Sequence, residues 1–433
     1  MDPFSTGIVG VVALVLMVFL GVRVYIAAAA VGLVGLVALI GWDAGAGMAG
    51  TIPHSKSISY TLSVLPMFIL IGFLAFHAGL TEKLFDAATK WLGWVPGGLA
   101  VATVMAATGF AAVSGASTAT AAVFSRVAIP DMLKAGYDKR LAAGVVAAGG
   151  TLATLIPPSA ILVIYAIIVE ESVGRLLVAG FVPGIVSALI YVGLIVLMAG
   201  FRPSLGRPIR GFTWGQRWRA VPGTFPIAAV VVIIFSAMYF GWATPTEAGA
   251  LGAFVVFALA LLHGMRWLGL KEALLETAKL TVMIFSIIWG VLIFVRFLGF
   301  AGLPEAFARW VVSLDVPPIV VMICILLFYV VLGMFMDAIG MLLLTLPVVY
   351  PAVVALGYDP IWFGIVVVKM AEICLITPPI GLNCFVVNGV RPDIPLTTVF
   401  RGIMPFFVAD VITVGMFLAF PEIILWVPRL MQS

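Results

Sequence analysis

The sequence predicts an all-α polytopic membrane protein with inverted-topology repeats, two re-entrant helical hairpins and two broken helices. Three observations carry this expectation. The 433 residues are 64% hydrophobic and only 10% charged, with a mean hydropathy of +1.25, whereas soluble domains are about half apolar and about a quarter charged. Lipid is therefore the main solvent, and a soluble enzyme is not expected. Apolar runs of span length recur along the chain, and one set of motifs occurs twice, 221 residues apart. The formal charge of +4 comes from basic residues that are scattered rather than gathered into a patch with interleaved aromatics, so nucleic acid is not the expected partner. Cys324, Cys374 and Cys384 lie in apolar runs, and His54, His77 and His263 stand far apart. Neither a disulfide framework nor a transition-metal site follows from them.

A helical span needs about 20 apolar residues. Full spans are expected near 7–22, 24–41, 58–80, 141–168, 176–200, 223–241, 247–265, 278–300, 360–389 and 396–420. The first has no basic region before it and no small-residue cleavage motif after Leu20, so it reads as a retained span. Two further stretches, 95–128 and 305–350, are too long for one span, and each is interrupted at its middle. The interruptions are Ser114-Gly115-Ala116-Ser117-Thr118 and the run from Gly333 to Gly340, which contains Asp337. A re-entrant hairpin that dips into the membrane and returns explains such a break, because irregular backbone is tolerated there only inside protein or beside a cavity. Two tightly packed full spans are the alternative, since small residues also serve helix contact.

Charge orients the layout. The short segments around 23, 81–93, 126–140, 201–219, 263–279 and 389–401 carry 17 of the 23 basic residues, so they are placed in the cytoplasm and both termini in the periplasm. Segment 201–220, with Arg202, Arg207, Arg210, Arg217 and Arg219 around Trp214 and Trp218, reads as a cytoplasmic loop or an amphipathic helix on anionic headgroups.

The repeat is read from spacing. Pro130, Gly136-Tyr137-Asp138 and Pro157-Pro158 recur at the same intervals as Pro351, Gly357-Tyr358-Asp359 and Pro378-Pro379. Val178 to Pro183 resembles Phe400 to Pro405, one residue further apart. Such periodicity is the signature of a structural repeat. An odd number of spans, five, separates Asp138 from Asp359, so the second copy is inverted, as in secondary transporters. In each copy the proline pair falls mid-segment. Proline lacks an N–H and clashes with the carbonyl one turn back, which leaves mid-membrane carbonyls free to coordinate a cation. Ser114, Ser117, Thr118 and Asp337, with the half-helix N-termini beside them, complete a cation and anion site. Proline kinks that only shape the bundle are the alternative.

These residues resemble the large membrane subunit of the TRAP (tripartite ATP-independent periplasmic) transporters, within the ion-transporter superfamily. The carrying motifs are Ser114 to Thr120, Leu155-Ile156-Pro157-Pro158-Ser159, Ala243 to Gly249, Gly333 to Gly340 and Ile376 to Asn383. The resemblance covers essentially the whole chain and implies an elevator-type, sodium-driven importer of small organic anions in the bacterial inner membrane. It implies three parts: this permease, a separate small four-helix membrane subunit and a periplasmic binding protein. It places one sodium at Ser114, Ser117, Ala153, Ile156 and Pro158, mostly through carbonyl oxygens, and a second at Gly333, Cys374, Thr377 and Ile380. Ala153 and Cys374 stand where the family usually has glycine. The substrate would meet Ser114, Ser159 and Asp337, with Thr377 and Asn383 nearby. No organic cofactor is implied. The expected organisation is a single transmembrane domain, 1–433, with repeat cores at 95–200 and 305–427, the basic loop at 201–220, and mainly scaffold at 1–80 and 223–300.

Intramembrane charges are read separately. Asp337 should face a cavity, cation or polar substrate group, because a bare carboxylate in lipid costs about 3 kcal/mol. Lys369 and Glu372, three apart on one helix face, are expected to neutralise each other. Arg296 is expected to snorkel to the interface, and Thr244-Pro245-Thr246-Glu247 to start a helix with a capping box. A stand-alone sodium/dicarboxylate or oxyanion carrier of the same superfamily is the alternative function. An intramembrane hydrolase would need a nucleophile–base pair or a His-Glu-x-x-His motif, which the sequence lacks.

Overall fold

The computed structural model describes residues 2–431; Met1, Gln432 and Ser433, the ends of the single expected domain, lie outside the described residues. The chain forms α1 (Pro3–Phe19), α2 (Val24–Ile40), α3 (Trp42–Ser57), α4 (Val64–His77), α5 (Leu80–Leu92), α6 (Gly98–Ser114), α7 (Ser117–Lys134), α8 (Lys139–Thr151), α9 (Ala160–Val169) and α10 (Val173–Phe201). A short α11 (Trp214–Ala220) follows in the basic segment. Then come α12 (Phe225–Tyr239), α13 (Pro245–Leu262), α14 (Trp267–Ala301), α15 (Leu303–Val312), α16 (Pro318–Gly333), α17 (Ala338–Ala355), α18 (Pro360–Cys374), α19 (Leu382–Val390), α20 (Leu396–Ala419) and α21 (Glu422–Leu430). Among the described residues, six helices are long and apolar enough to cross a membrane, or seven if the bent pair around α11 and α12 counts as one. The protein is thus an all-helical polytopic membrane protein.

The duplication reaches further than the motifs. The starts of α2 and α13, of α7 and α17, and of α8 and α18 each lie 221 residues apart. Those of α1 and α12 are 222 apart, and those of α5 and α15 are 223 apart. In the first copy α3 and α4 occupy the place that the single 35-residue α14 fills in the second.

The recurring Gly-Tyr-Asp motif is a stop–start signal. Gly136 (φ 78°) and Gly357 (φ 85°) take the left-handed conformation that ends α7 and α17, which a side chain would strain. Asp138 and Asp359 then cap the next helix: Asp138 accepts from the Arg140 amide at 2.7 Å, and Asp359 from the Ile361 and Trp362 amides at 2.8 and 3.0 Å. The intervening tyrosines pack differently. The Tyr137 hydroxyl donates to the Arg207 carbonyl at 2.9 Å and accepts from the Leu99 amide at 3.0 Å, tying the basic segment to the start of α6. Burial pushes this phenol above its ordinary titration range, so it remains a donor. Tyr358 stacks on Trp362 with centroids 5.1 Å apart.

Small residues set the helix crossings, as expected where lipid competes equally for apolar surface. On the contact of α8 with α20, a Cβ at Gly144 would strike the Gly402 carbonyl, and one at Gly402 would strike the Arg140 carbonyl. On the contact of α2 with α14, Gly32 lies against the backbone of Phe294, and Gly290 against that of Tyr25.

Several boundaries differ from the sequence reading. The second hairpin does not begin at 305, because Leu303–Val312 is a separate helix whose Pro304 and Val311 are buried while Trp310 and Val312 are exposed. Residues 81–93 and 263–279, read from the sequence only as short basic segments, lie mostly in α5 and in the first turns of α14. Amphipathic or charged helices carry too little hydropathy to register as spans, which explains all three. The capping box stands as expected: Thr244 accepts from the Glu247 amide at 3.3 Å, and the Glu247 carboxylate accepts from the Thr244 amide at 2.8 Å.

Candidate functional site

The site is built where two helical hairpins meet two helix breaks. In the first hairpin α6 ends at Ser114, Gly115 turns the chain at φ 61°, and Ala116 leads into α7. Only glycine fits here, since a Cβ at Gly115 would strike the Pro158 carbonyl in the first break. Ser114 is buried, with its Oγ 2.9 Å from the Thr120 hydroxyl and its backbone pressed on Gly72 of α4, where a Cβ would come within 2.7 Å of the Ser114 Cα. Ser117 is also buried, and its carbonyl lies 3.0 Å from where a Gly150 Cβ would stand on α8.

The first break runs from the end of α8 through a 3-10 turn, Leu152–Thr154, to the cis Pro157-Pro158 bond and the start of α9. Ala153 and Ile156 are buried in it. Two prolines withdraw two N–H donors, so backbone oxygens outnumber amides over this stretch. Ser159, fully buried, caps α9 by accepting from the Leu162 amide at 3.3 Å and donates to the Thr154 carbonyl. Its hydroxyl is therefore engaged within its own turn.

In the second copy α16 ends at Gly333, which faces Cys374 so closely that a Cβ would overlap the cysteine side chain. Asp337 is half-buried and caps α17, accepting from the Gly340 amide at 3.1 Å. The second break, Leu375 to Gly381, holds the cis Pro378-Pro379 bond. Thr377 donates to the Ile373 carbonyl at 2.7 Å, and Ile380 stands partly exposed at the rim. Asn383 is fully buried and reaches into the first copy, where its Nδ2 donates to the Ala147 carbonyl at 3.1 Å.

The structure thus brings Ser114 and Ser117 to the first break through Gly115 and Gly150, and Gly333 to Cys374, while Asp337 keeps to the cap of its own helix. Carbonyl and hydroxyl oxygens are the main polar groups that both sets of residues offer, the ligand type that hard cations take. Cys374 fits such a set through its carbonyl, because its Sγ lies 3.6 Å from both the Tyr329 carbonyl and Met341 Sδ.

A cavity of about 150 Å³ opens from the first hairpin turn. Phe73 and Phe76 of α4, Phe110 and Ser114 of α6, and Ala116, Ala119 and Ala122 of α7 line it, with Arg126 and Glu276 at the charged end. Glu276 also lies 3.0 Å from His77.

Behind the breaks lies a charged cluster that sequence reading identified only in part. Lys369 and Glu372 pair at 2.8 Å as expected, but Lys369 also meets Asp410 of α20 at 2.7 Å, and all three side chains are fully buried. Tyr191 of α10 donates to Asp410 at 2.7 Å, and Thr151 of α8 donates to Glu372 at 2.9 Å. Asp410 was detectable as the one acid in the apolar run 396–420. Arg296 is exposed on α14.

Over residues 11–423 the sequence matches the family described as "Tripartite ATP-independent periplasmic transporter, DctM component". It is 37% identical over 351 residues to the C4-dicarboxylate TRAP transporter large permease protein DctM of Pseudomonas aeruginosa, across 80% of this chain and 81% of that one. To the sialic acid TRAP transporter large permease protein SiaM of Vibrio cholerae it is 30% identical over 374 residues, across 86% and 87% of the two chains. The fold is similar to that of the Alcanivorax borkumensis YdaH transporter, with a TM-score of 0.62 over 89% of this chain and 91% of that one at 14% identity, a likeness of fold alone.

Proposed function

This chain belongs to the family of DctM components of tripartite ATP-independent periplasmic transporters, and from that premise we propose that it is the permease of a sodium-coupled importer of small organic anions. The substrates are carboxylates, such as C4-dicarboxylates or sugar acids; the relatives from Pseudomonas aeruginosa and Vibrio cholerae are named for C4-dicarboxylates and for sialic acid. It works with a small membrane subunit and a periplasmic binding protein that delivers the ligand. The orientation read from the basic residues puts both termini in the periplasm of the bacterial inner membrane.

One observation supports this reading above the rest: in both copies a hairpin turn abuts a proline-broken helix, through Gly115 against Pro158 and through Gly333 against Cys374. Duplicated, inverted half-helices that point their ends at a shared site are the device by which secondary transporters bind ions and anions at mid-membrane. Each turn is re-entrant in this reading. Ser114, Ser117, Ala153, Ile156 and Pro158 hold one sodium; Gly333, Cys374, Thr377 and Ile380 hold the second. Substrate enters the cavity that begins at Ser114 and Ala116 and ends at Arg126 and Glu276. On the proposed orientation those charges lie on the cytoplasmic side. The hairpins and broken helices move as one body against a scaffold of α1–α4 and α12–α14.

Reconstitution by omission tests the tripartite reading. Proteoliposomes holding the permease and small subunit should accumulate labelled dicarboxylate only when the loaded binding protein is supplied. Equal uptake by the permease alone would instead identify a stand-alone carrier.

A further inference from the structure

Thr151 and Glu372 occupy equivalent positions in the two copies, 221 residues apart, and they touch: the Thr151 hydroxyl donates to Glu372 Oε1 at 2.9 Å. The contact therefore lies on the axis that relates the copies. It is also the midpoint of a continuous chain of hydrogen bonds. In the first break Ser159 donates to the Thr154 carbonyl, and the Thr154 hydroxyl donates to the Thr151 carbonyl at 2.8 Å. On the other side Glu372 lies in the last turn of α18, where its carbonyl accepts from the Leu375 amide at 3.1 Å, next to Cys374. Ser159, Thr151 and Glu372 are fully buried and Thr154 is 1% exposed, so water does not compete for these bonds.

The Thr151 hydroxyl has a choice of partner. A hydroxyl carries one proton, and Thr151 has two acceptors in range, Glu372 at 2.9 Å and the Ala148 carbonyl of its own helix at 2.7 Å. Thr151 itself ends α8 and leads directly into the 3-10 turn that holds Ala153. Lys369, itself held by Asp410, fixes the Glu372 carboxylate at the other end.

We infer that Thr151 and Glu372 couple the two candidate cation sites, so that ordering the first break by a bound cation favours the ordered second break, and the reverse. This rests on the proposed sodium reading. Thr151 is a positioning residue: its side chain acts through Glu372 and its own carbonyl through Thr154, not on the ion. Coupling of this kind is reciprocal, and removing it lowers cooperativity rather than abolishing either site.

The test is a sodium titration of the purified permease–small subunit complex, read as the sodium-dependent shift of melting temperature, with sodium-driven uptake as the second readout. The wild type should respond with a Hill coefficient of about 1.8, and T151V with one of about 1, with half-saturation raised about tenfold, for a coupling of about 2.7 kcal/mol. T151S, which keeps the hydroxyl, should restore the wild-type curve. Should T151V not fold, T151A carries the same expectation. An unchanged Hill coefficient in a sodium-responsive T151V or T151A overturns the inference alone. A wild type indifferent to sodium overturns the sodium reading beneath it.

Discussion

Lys369 sits 2.7 Å from Asp410, on a different helix and 41 positions along the chain, with neither side chain reachable by solvent. With Glu372 at 2.8 Å the lysine pairs with two carboxylates, and through them it ties α18 to α20, α10 and α8. Removing one partner of a buried ion pair strands the other, at a cost of about 3–5 kcal/mol. K369M should therefore lower thermal stability by that order and reduce the yield of folded protein, as measured by unfolding in detergent. D410N, which leaves the Lys369–Glu372 pair intact, should cost less. Equal stability of K369M and wild type would show that the cluster does not hold the bundle.

The contact of α8 with α20 leaves no space for a methyl group at Gly402, because a Cβ there meets the Arg140 carbonyl, a backbone atom that no rotamer change can move. G402A should destabilise the protein by about 1–3 kcal/mol. The comparison is G415A, in the same helix, where a Cβ meets nothing within 4 Å. A melting-temperature loss confined to G402A is the expected result.

Asp337 has two separable properties, a capping oxygen and a charge. Asn is as good an N-cap as Asp, so D337N should keep α17 capped and leave the melting temperature near wild type. If the charge faces cation or substrate, uptake by D337N should fall about tenfold or more, equivalent to about 1.4 kcal/mol. Wild-type uptake in D337N would assign Asp337 to capping only.

Tyr137 is the clamp between the basic segment and α6. Y137F removes both hydrogen bonds and leaves the Leu99 amide and Arg207 carbonyl to find other partners, a cost of about 1–3 kcal/mol. Faster amide exchange over 202–213 and at the start of α6, with α12–α14 unaffected, is the outcome to look for.

Much of this architecture was legible in the sequence because lipid makes interruptions conspicuous. Ser114 to Thr118, the run around Asp337 and the two proline pairs break apolar runs that would otherwise be continuous, and each fell at a helix end. The Gly-Tyr-Asp motif carried its own chemistry, a left-handed turn followed by a capping carboxylate. Lys369 and Glu372 were readable as a pair because they are neighbours on one helix. Asp410 was not, since its partners Lys369 and Tyr191 come from other helices, and only tertiary packing brings them together. The surface helices α5 and α15 escaped detection for the opposite reason: half of each faces water or headgroups, so neither reads as a span. Ser159 and Asn383 were expected at the substrate, and the structure shows both fully buried, with Ser159 bonded within its own turn and Asn383 bonded across to α8.

The central claim is that sodium drives anion uptake through this permease. The most direct measurement is accumulation of labelled dicarboxylate in proteoliposomes that contain the permease and small subunit, with the loaded binding protein outside and the membrane potential clamped. Accumulation against the anion gradient should require an inward sodium gradient and vanish when sodium is replaced by choline on both sides. Undiminished accumulation in choline would contradict the account.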